Sequence, residues 1–230
     1  MLPNRLRPNS KATGVPLAKV AARVMTGRTL AQQGCLAERI PPYFSVKEAV
    51  FPFTKFPDAD PILGPEMKST GEVMGTGYTF GEAYAKAQAA SGVILPTRGL
   101  CFISVRDRDK PAAAQLAQML IERGFELAAT GGTAQVLEDS GIICRRVNKV
   151  REGRPHVVDM IKNDEVSLII NTTEGKQAVR ESRSIRREAV ARKVTYYTTV
   201  AAARATCDAL DHLGDIEVHR LQDLHKEITA

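Results

Sequence analysis

Two glycines set between hydroxyl side chains, in the run Leu127-Ala128-Ala129-Thr130-Gly131-Gly132-Thr133-Ala134, have the residue types and spacing of an anion cradle. An apolar, strand-like stretch enters the run and a helix leaves it. Gly131 and Gly132 allow a tight turn and close backbone approach, while Thr130 and Thr133 supply hydroxyls. The following helix points its unpaired N–H groups and the positive end of its dipole at the same place. This is chemistry for binding an anion rather than for breaking bonds. The same residues also suit an ordinary strand-to-helix turn with Thr133 as N-cap, so the neighbouring elements must decide between the two.

Those neighbours alternate regularly. Cys101–Val105 reads as a buried strand, and Pro111–Arg123 carries Leu116, Met119 and Leu120 at helical spacing. Phe125–Thr130 is a second strand, followed by a helix through Leu137. Strands then follow at Cys144–Asn148, Leu168–Asn171 and Val194–Thr198, with helices near Val157–Lys162, over Lys176–Ala191 and over Val200–Leu213. A βα series of this kind predicts an α/β fold with a doubly wound, parallel, five-stranded sheet. Such sheets bind ligands at the carboxyl ends of their strands. There the chain offers Ser104 and Lys110 after the first strand, with Asp109 as a helix N-cap; Thr130 and Thr133 after the second; Asn148 and Lys149 after the third; and Asn171, Thr172 and Thr173 after the fourth. Ammonium, hydroxyl, amide and backbone donors thus converge on one crevice.

Composition narrows the function further. The 230 residues are 43% hydrophobic and 25% charged, which is ordinary for a globular chain. The net charge of +6 is dispersed, and with no Trp and 5% aromatics there is little to build a nucleic-acid stacking platform, so no nucleic-acid partner is expected. Cys35, Cys101, Cys144 and Cys207 form no paired ligand motif and read as buried thiols. His156, His212, His219 and His225 lack metal-ligand spacing; the last three read as exposed, and His156, with Asp159 nearby, is more a structural residue than a base. No Walker A sequence, nucleophile elbow or dinucleotide fingerprint occurs. Neither a membrane-length apolar run nor a signal-peptide core is present, which leads to the expectation of a cytoplasmic protein without membrane attachment.

The first portion is organised differently. Helices are expected at Leu17–Thr26, near Leu30–Cys35 and over Phe80–Ala90, with Gly64–Gly75 as loop and strand and Leu95–Gly99 as a linker. Residues 1–94 read as the remnant of a larger domain, and residues 95–230 as a domain of their own.

Three segments carry a family resemblance: Ser10–Ala18, Tyr43–Glu48 and Leu63–Gly75. They resemble the end of the second ATP-grasp unit of the carbamoyl phosphate synthetase large-subunit family. From Gly99 onward the chain resembles that family's C-terminal regulatory domain, of the methylglyoxal-synthase-like fold, through ATGGTA at 129–134, VNKVREGRPH at 147–156, IINTTEG at 169–175 and YYTT at 196–199. The resemblance implies a parent ligase that makes carbamoyl phosphate from bicarbonate, glutamine-derived ammonia and two ATP for pyrimidine and arginine biosynthesis. That parent would use ATP with Mg or Mn and K, and would work with upstream large-subunit domains and a glutaminase small subunit, as a homo-oligomer. The present chain would be its allosteric end, with no cofactor and no catalytic residue of its own. UMP and IMP would bind at Lys110, Thr130, Thr133, Lys149, Asn171 and Thr173, and ornithine at Glu48, Tyr196 and Thr198. The family's frequent His is Gly131 here and its frequent Asp is Tyr197, while Met1–Asn9 does not match its ATP- and metal-serving segment. The alternative is a free-standing lyase of the methylglyoxal synthase type, in which Glu174 would have to serve as base.

Overall fold

The computed structural model describes residues 3–51, 53, 61–62, 69, 71–214 and 216–228. Five parallel strands form the main sheet: β3 (Gly99–Ser104), β4 (Phe125–Thr130), β5 (Arg145–Val147), β6 (Val166–Asn171) and β7 (Thr195–Tyr197), in the order β5-β4-β3-β6-β7. The chain runs outward from β3 through β4 to β5, then returns to β3's other side for β6 and β7. The winding direction therefore reverses between β3 and β6, the position at which open α/β sheets hold ligands.

β3, β4 and β6 are apolar almost throughout because helices cover both of their faces. On one face Ile103, Leu127, Ala129 and Ile170 pack against α4 (Lys110–Glu122), α5 (Gly131–Asp139) and α9 (Val200–Leu210). On the other, Phe102, Ala128 and Ile169 pack against α6 (Val157–Lys162) and α8 (Arg183–Ala191). The helix expected over Lys176–Ala191 is two helices, α7 (Gly175–Glu181) and then α8, divided at Ser182. The buried Arg186 accounts for the break: its guanidinium reaches back to the Val179 carbonyl at 2.9 Å, taking an acceptor from the last turn of α7.

The first portion is folded. It contains α1 (Pro3–Thr13), α2 (Leu17–Met25), a 3₁₀ turn at Ala31–Gln33 where a second helix was expected, and an antiparallel pair, β1 (Phe44–Val50) with β2 (Gly71–Gly77). Most of the Leu63–Gly75 segment before β2 lies outside the described residues. α3 (Phe80–Ala90) joins this portion to the main sheet. Its start is set by Thr79, whose hydroxyl accepts the Glu82 amide at 3.1 Å, while the Glu82 carboxylate accepts the Tyr78 amide at 2.8 Å. Two glycines let backbones meet without side chains between them. A Cβ at Gly75 would stand 2.1 Å from the Ala83 carbonyl oxygen, and one at Gly81 would stand 2.5 Å from that of Asp208 in α9. Leu95, read as linker, is 7% exposed and packs with Ala85 and Ala209.

The chain closes with α10 (Leu221–Ile228), which returns to the first portion. His225 Nε2 lies 2.6 Å from the Lys11 carbonyl, the Tyr78 hydroxyl donates to Glu227 at 2.8 Å, and Leu224 is buried. The three late histidines are therefore half-buried rather than exposed: His212 pairs with Thr79 at 3.1 Å and His219 stands 3.6 Å from Glu82. Cys101 and Cys207 are buried, whereas Cys35 and Cys144 are only partly covered. Among the described residues no helix is long and apolar enough to cross a membrane.

Candidate anion site

Three of the loops at the carboxyl edge of the sheet are tied directly to one another. The Ser104 and Thr130 hydroxyls lie 3.0 Å apart at the ends of β3 and β4. The Val105 amide donates to the Thr133 hydroxyl at 3.1 Å, and the Arg106 amide donates to the Thr172 hydroxyl at 3.1 Å. The Thr172 amide donates to the Ser104 carbonyl at 3.0 Å. Thr130, Thr133, Asn171 and Thr172 are all buried, so these bonds are made away from water, where an unmade one is costly.

α5 begins at Gly131, with Thr130 rather than Thr133 in the N-cap position and with no cap bond from its side chain. Thr133 is the third residue of the helix rather than its cap, and its hydroxyl accepts from Val105. Gly131 and Gly132 are the first two helical residues, and neither has the left-handed backbone that a tight glycine turn would show. Gly132 lies against Lys110 instead: a Cβ there would stand in ordinary contact, 3.5 Å from the Lys110 ammonium. A cation therefore lies beside the positive end of a helix, an arrangement that gains from a negative partner. In this structure that partner is Asp107, whose side chain is 94% exposed and accepts Lys110 Nζ at 2.7 Å. Lys110, and more weakly Lys149, hold the Asp107 carboxyl below its ordinary range. Lys149, after β5, acts on the Asp107 carboxyl only as a weak longer-range attraction, and among the described residues no carboxylate lies within ion-pair distance of its ammonium.

Asp109 occupies an N-cap position but makes no cap bond. Its carboxylate accepts Arg106 Nε at 2.7 Å. Burial pushes its pKa upward, but hydrogen bonds from Thr172 and Arg106 outweigh that and hold it below the ordinary value. Asp109 thus fastens the β3 loop to the β6 loop. Asn148 is similarly structural, donating to the Pro155 carbonyl at 3.3 Å.

Asn171 ends β6 and donates to the Tyr196 hydroxyl at 3.2 Å, and Thr173 follows it, half-buried. The strand-end set Lys110, Thr130, Thr133, Lys149, Asn171 and Thr173 thus gathers along the edge predicted for it. Glu48, Tyr196 and Thr198 are placed otherwise. Glu48, on β1, accepts the Gln88 side-chain amide at 3.2 Å, and Gln88 in turn accepts the Tyr197 hydroxyl at 3.3 Å. Burial raises the pKa of Glu48. Tyr196 bonds to Asn171 on the opposite side of β7, and Thr198 is exposed.

Sequence reasoning missed Asp107 and the Tyr197–Gln88 pair. The spacing Asp107-x-x-Lys110 was available as a signal for the first; nothing in the sequence joins residues 88 and 197. His156 N-caps α6, its amide donating to Asp159 at 3.0 Å, and its Nδ1 stands 3.1 Å from the same carboxylate. Glu174 is 60% exposed and lies 3.9 Å from Arg108. Among the described residues no group of three or more His, Cys, Asp or Glu side chains is arranged to hold a metal ion.

The chain matches the family model of the MGS-like domain over residues 112–198. It is 63% identical over 221 residues to the carbamoyl phosphate synthase large chain of Pseudomonas aeruginosa, and 58% identical to that of Xanthomonas campestris pv. campestris. Each match takes in 96% of this chain but 21% and 20% of the relative, so the chain spans about one fifth of the length of the curated relatives it matches. Among solved structures, methylglyoxal synthase from Elizabethkingia anophelis is a distant likeness, with TM-score 0.41, 21% identity, and 49% of this chain and 79% of that one covered.

Proposed function

Because this chain belongs to the carbamoyl phosphate synthase large-chain family, of which it fits a C-terminal piece, we propose that its main sheet is an effector-binding regulatory unit that takes a nucleoside monophosphate of the UMP or IMP kind. The observation that carries this reading is the Lys110 ammonium beside Gly132 at the N-terminus of α5, with Lys149 close by. A phosphate there displaces Asp107 into water, meets both ammonium groups and accepts the unpaired N–H groups of the first turn of α5. Base and sugar then extend along the β6 edge towards Asn171 and Thr173. The Thr133 hydroxyl, occupied as an acceptor, retains one O–H to donate.

In the full-length protein this unit would bias an upstream ligase that makes carbamoyl phosphate from bicarbonate, ammonia released by a glutaminase subunit, and two ATP. The 230 residues alone would be a binding unit without that chemistry. Ornithine would act at the β7 end near Glu48 and Thr198, with Tyr196 reaching it only if its side chain leaves Asn171.

Calorimetric titration of the 230-residue chain with UMP, IMP, uridine and ornithine tests this. The expected result is that UMP or IMP binds at least tenfold more tightly than uridine. Equal affinity for nucleotide and nucleoside, or no binding of either nucleotide, refutes the anion site.

A further inference from the structure

Strand β7 carries two adjacent tyrosines whose hydroxyls are wired to different parts of the molecule. Consecutive residues of a strand face opposite sides of the sheet, and here both sides are bonded. On one, the Tyr196 hydroxyl accepts Asn171 Nδ2 at 3.2 Å and lies 3.5 Å from the Asn171 carbonyl, at the end of β6. On the other, the Tyr197 hydroxyl donates to Gln88 Oε1 at 3.3 Å, and Gln88 Nε2 donates to Glu48 at 3.2 Å. The amide of Gln88 suits this place because it accepts at one end and donates at the other, as a phenol and a carboxylate require. Tyr197 is 8% exposed, Gln88 4% and Asn171 3%, so water does not substitute readily for any of these partners. Burial and the neighbouring Tyr84 push the Tyr197 phenol far up in pKa, which keeps it a neutral donor.

β7 is held by few backbone partners, as a short edge strand. It is three residues long, lies at the edge of the sheet and, among the described residues, pairs with β6 alone. A ligand that draws the Asn171 amide towards itself takes the donor from Tyr196. The edge strand then shifts, and the geometry between Tyr197 and Gln88, already long at 3.3 Å, changes with it.

We infer that β7 is a two-sided relay: Tyr196 senses ligand at the strand-end anion site through Asn171, and Tyr197 passes the change through Gln88 to Glu48 in the first portion of the chain. Tyr197 and Gln88 are thus positioning residues for regulation, acting through others and touching no ligand. This inference rests on the nucleotide reading above. Linkage requires the coupling to be reciprocal, so a change imposed at Gln88 alters affinity at the anion site as well.

Hydrogen exchange on the 230-residue chain, with and without saturating UMP, tests the relay. In the wild-type protein UMP is expected to alter exchange at least threefold both in β4–α5 and in β1 and α3. In Tyr197→Phe, which removes one oxygen and keeps the ring, and in Gln88→Met, which removes the amide at similar volume, the β4–α5 response remains and the β1 and α3 response disappears. A thermal melt establishes that each variant is folded, and either one alone suffices. Persistence of the β1 and α3 response in a folded variant overturns the relay. So does a wild-type protein in which UMP protects β4–α5 alone. If UMP alters exchange nowhere, the nucleotide reading itself falls and the relay with it.

Discussion

Replacing Lys110 by Met removes the cation beside α5 while keeping most of the aliphatic stem that lies along Gly132. A charge-assisted hydrogen bond to phosphate is worth roughly 1.5–3 kcal/mol. Two features of the structure reduce that. The Lys110 side chain is 28% exposed, and its ammonium must first leave Asp107, 2.7 Å away. A net loss of about 1–2 kcal/mol remains, which at roughly 1.4 kcal/mol per decade is about a fivefold to thirtyfold weakening of UMP binding. Uridine lacks the phosphate and should lose less than about twofold, well inside one decade. Asp107→Asn provides the opposite perturbation: it frees Lys110 and removes a negative charge from the approach path, so UMP should bind more tightly. The two effects should not fully add, because the part of the Asp107→Asn benefit that comes from freeing Lys110 is lost with the ammonium, and the double variant should bind UMP only slightly more tightly than Lys110→Met. The assay is calorimetric titration at low and at physiological salt, with both differences shrinking as salt screens them. Equal losses for UMP and uridine, or weaker UMP binding by Asp107→Asn, would refute the phosphate position.

Three further outcomes follow from the geometry. Thr133→Val leaves the buried Val105 amide without an acceptor, at about 1–3 kcal/mol, and at roughly 2–4 °C per kcal/mol should lower Tm by about 2–12 °C, whereas Thr133→Ser should melt like the wild type; scanning calorimetry showing equal Tm for all three would contradict the bond. Gly81→Ala places a Cβ 2.5 Å from the Asp208 carbonyl and should cost about 1–3 kcal/mol in denaturant unfolding, while an unchanged midpoint would mean that α3 and α9 are not in close contact. Hydrogen bonds from Arg154 and from the His156 amide hold the Asp159 carboxyl down to about 2, so its support for the start of α6 is complete above the ordinary aspartate range and fades as pH falls through about 2; an NMR titration with an ordinary midpoint would remove that cap.

Much of the main sheet is legible in the sequence, and the reason is local. β4 and α6 occupy the residues their patterns indicate because apolar runs covered on both faces, and short amphipathic helices between them, leave few other ways to bury the same side chains. The strand-end positions of Lys110, Lys149, Thr130 and Asn171 follow from the topology once the strands are known. What each side chain does there does not follow. Thr133 has the residue type of an N-cap and Asp109 the position of one, yet Thr133 is claimed by an amide from β3 and Asp109 by Arg106 and Thr172. In both cases a partner brought by the fold outcompetes the local backbone, a contest that spacing along the chain does not record.

The same physics explains why the first portion shows no domain-sized pattern although it packs against the second. Part of its packing against the second portion uses devices without a side-chain pattern: Gly81 permits close backbone approach to α9, and Gln88 bridges a phenol to a carboxylate. Neither device produces hydrophobic periodicity, the main signal that single-sequence reading uses. Yet both make the junction sensitive to small displacements. A close-packed backbone contact cannot absorb a shift of a few tenths of an ångström as a flexible side chain would, and a buried amide held at both ends must turn when either partner moves. A junction of this kind is poorly suited to standing apart from the sheet and well suited to registering what happens at its edge. On the relay proposed above, the segment with the weakest pattern is the one that registers ligand at the strand-end site.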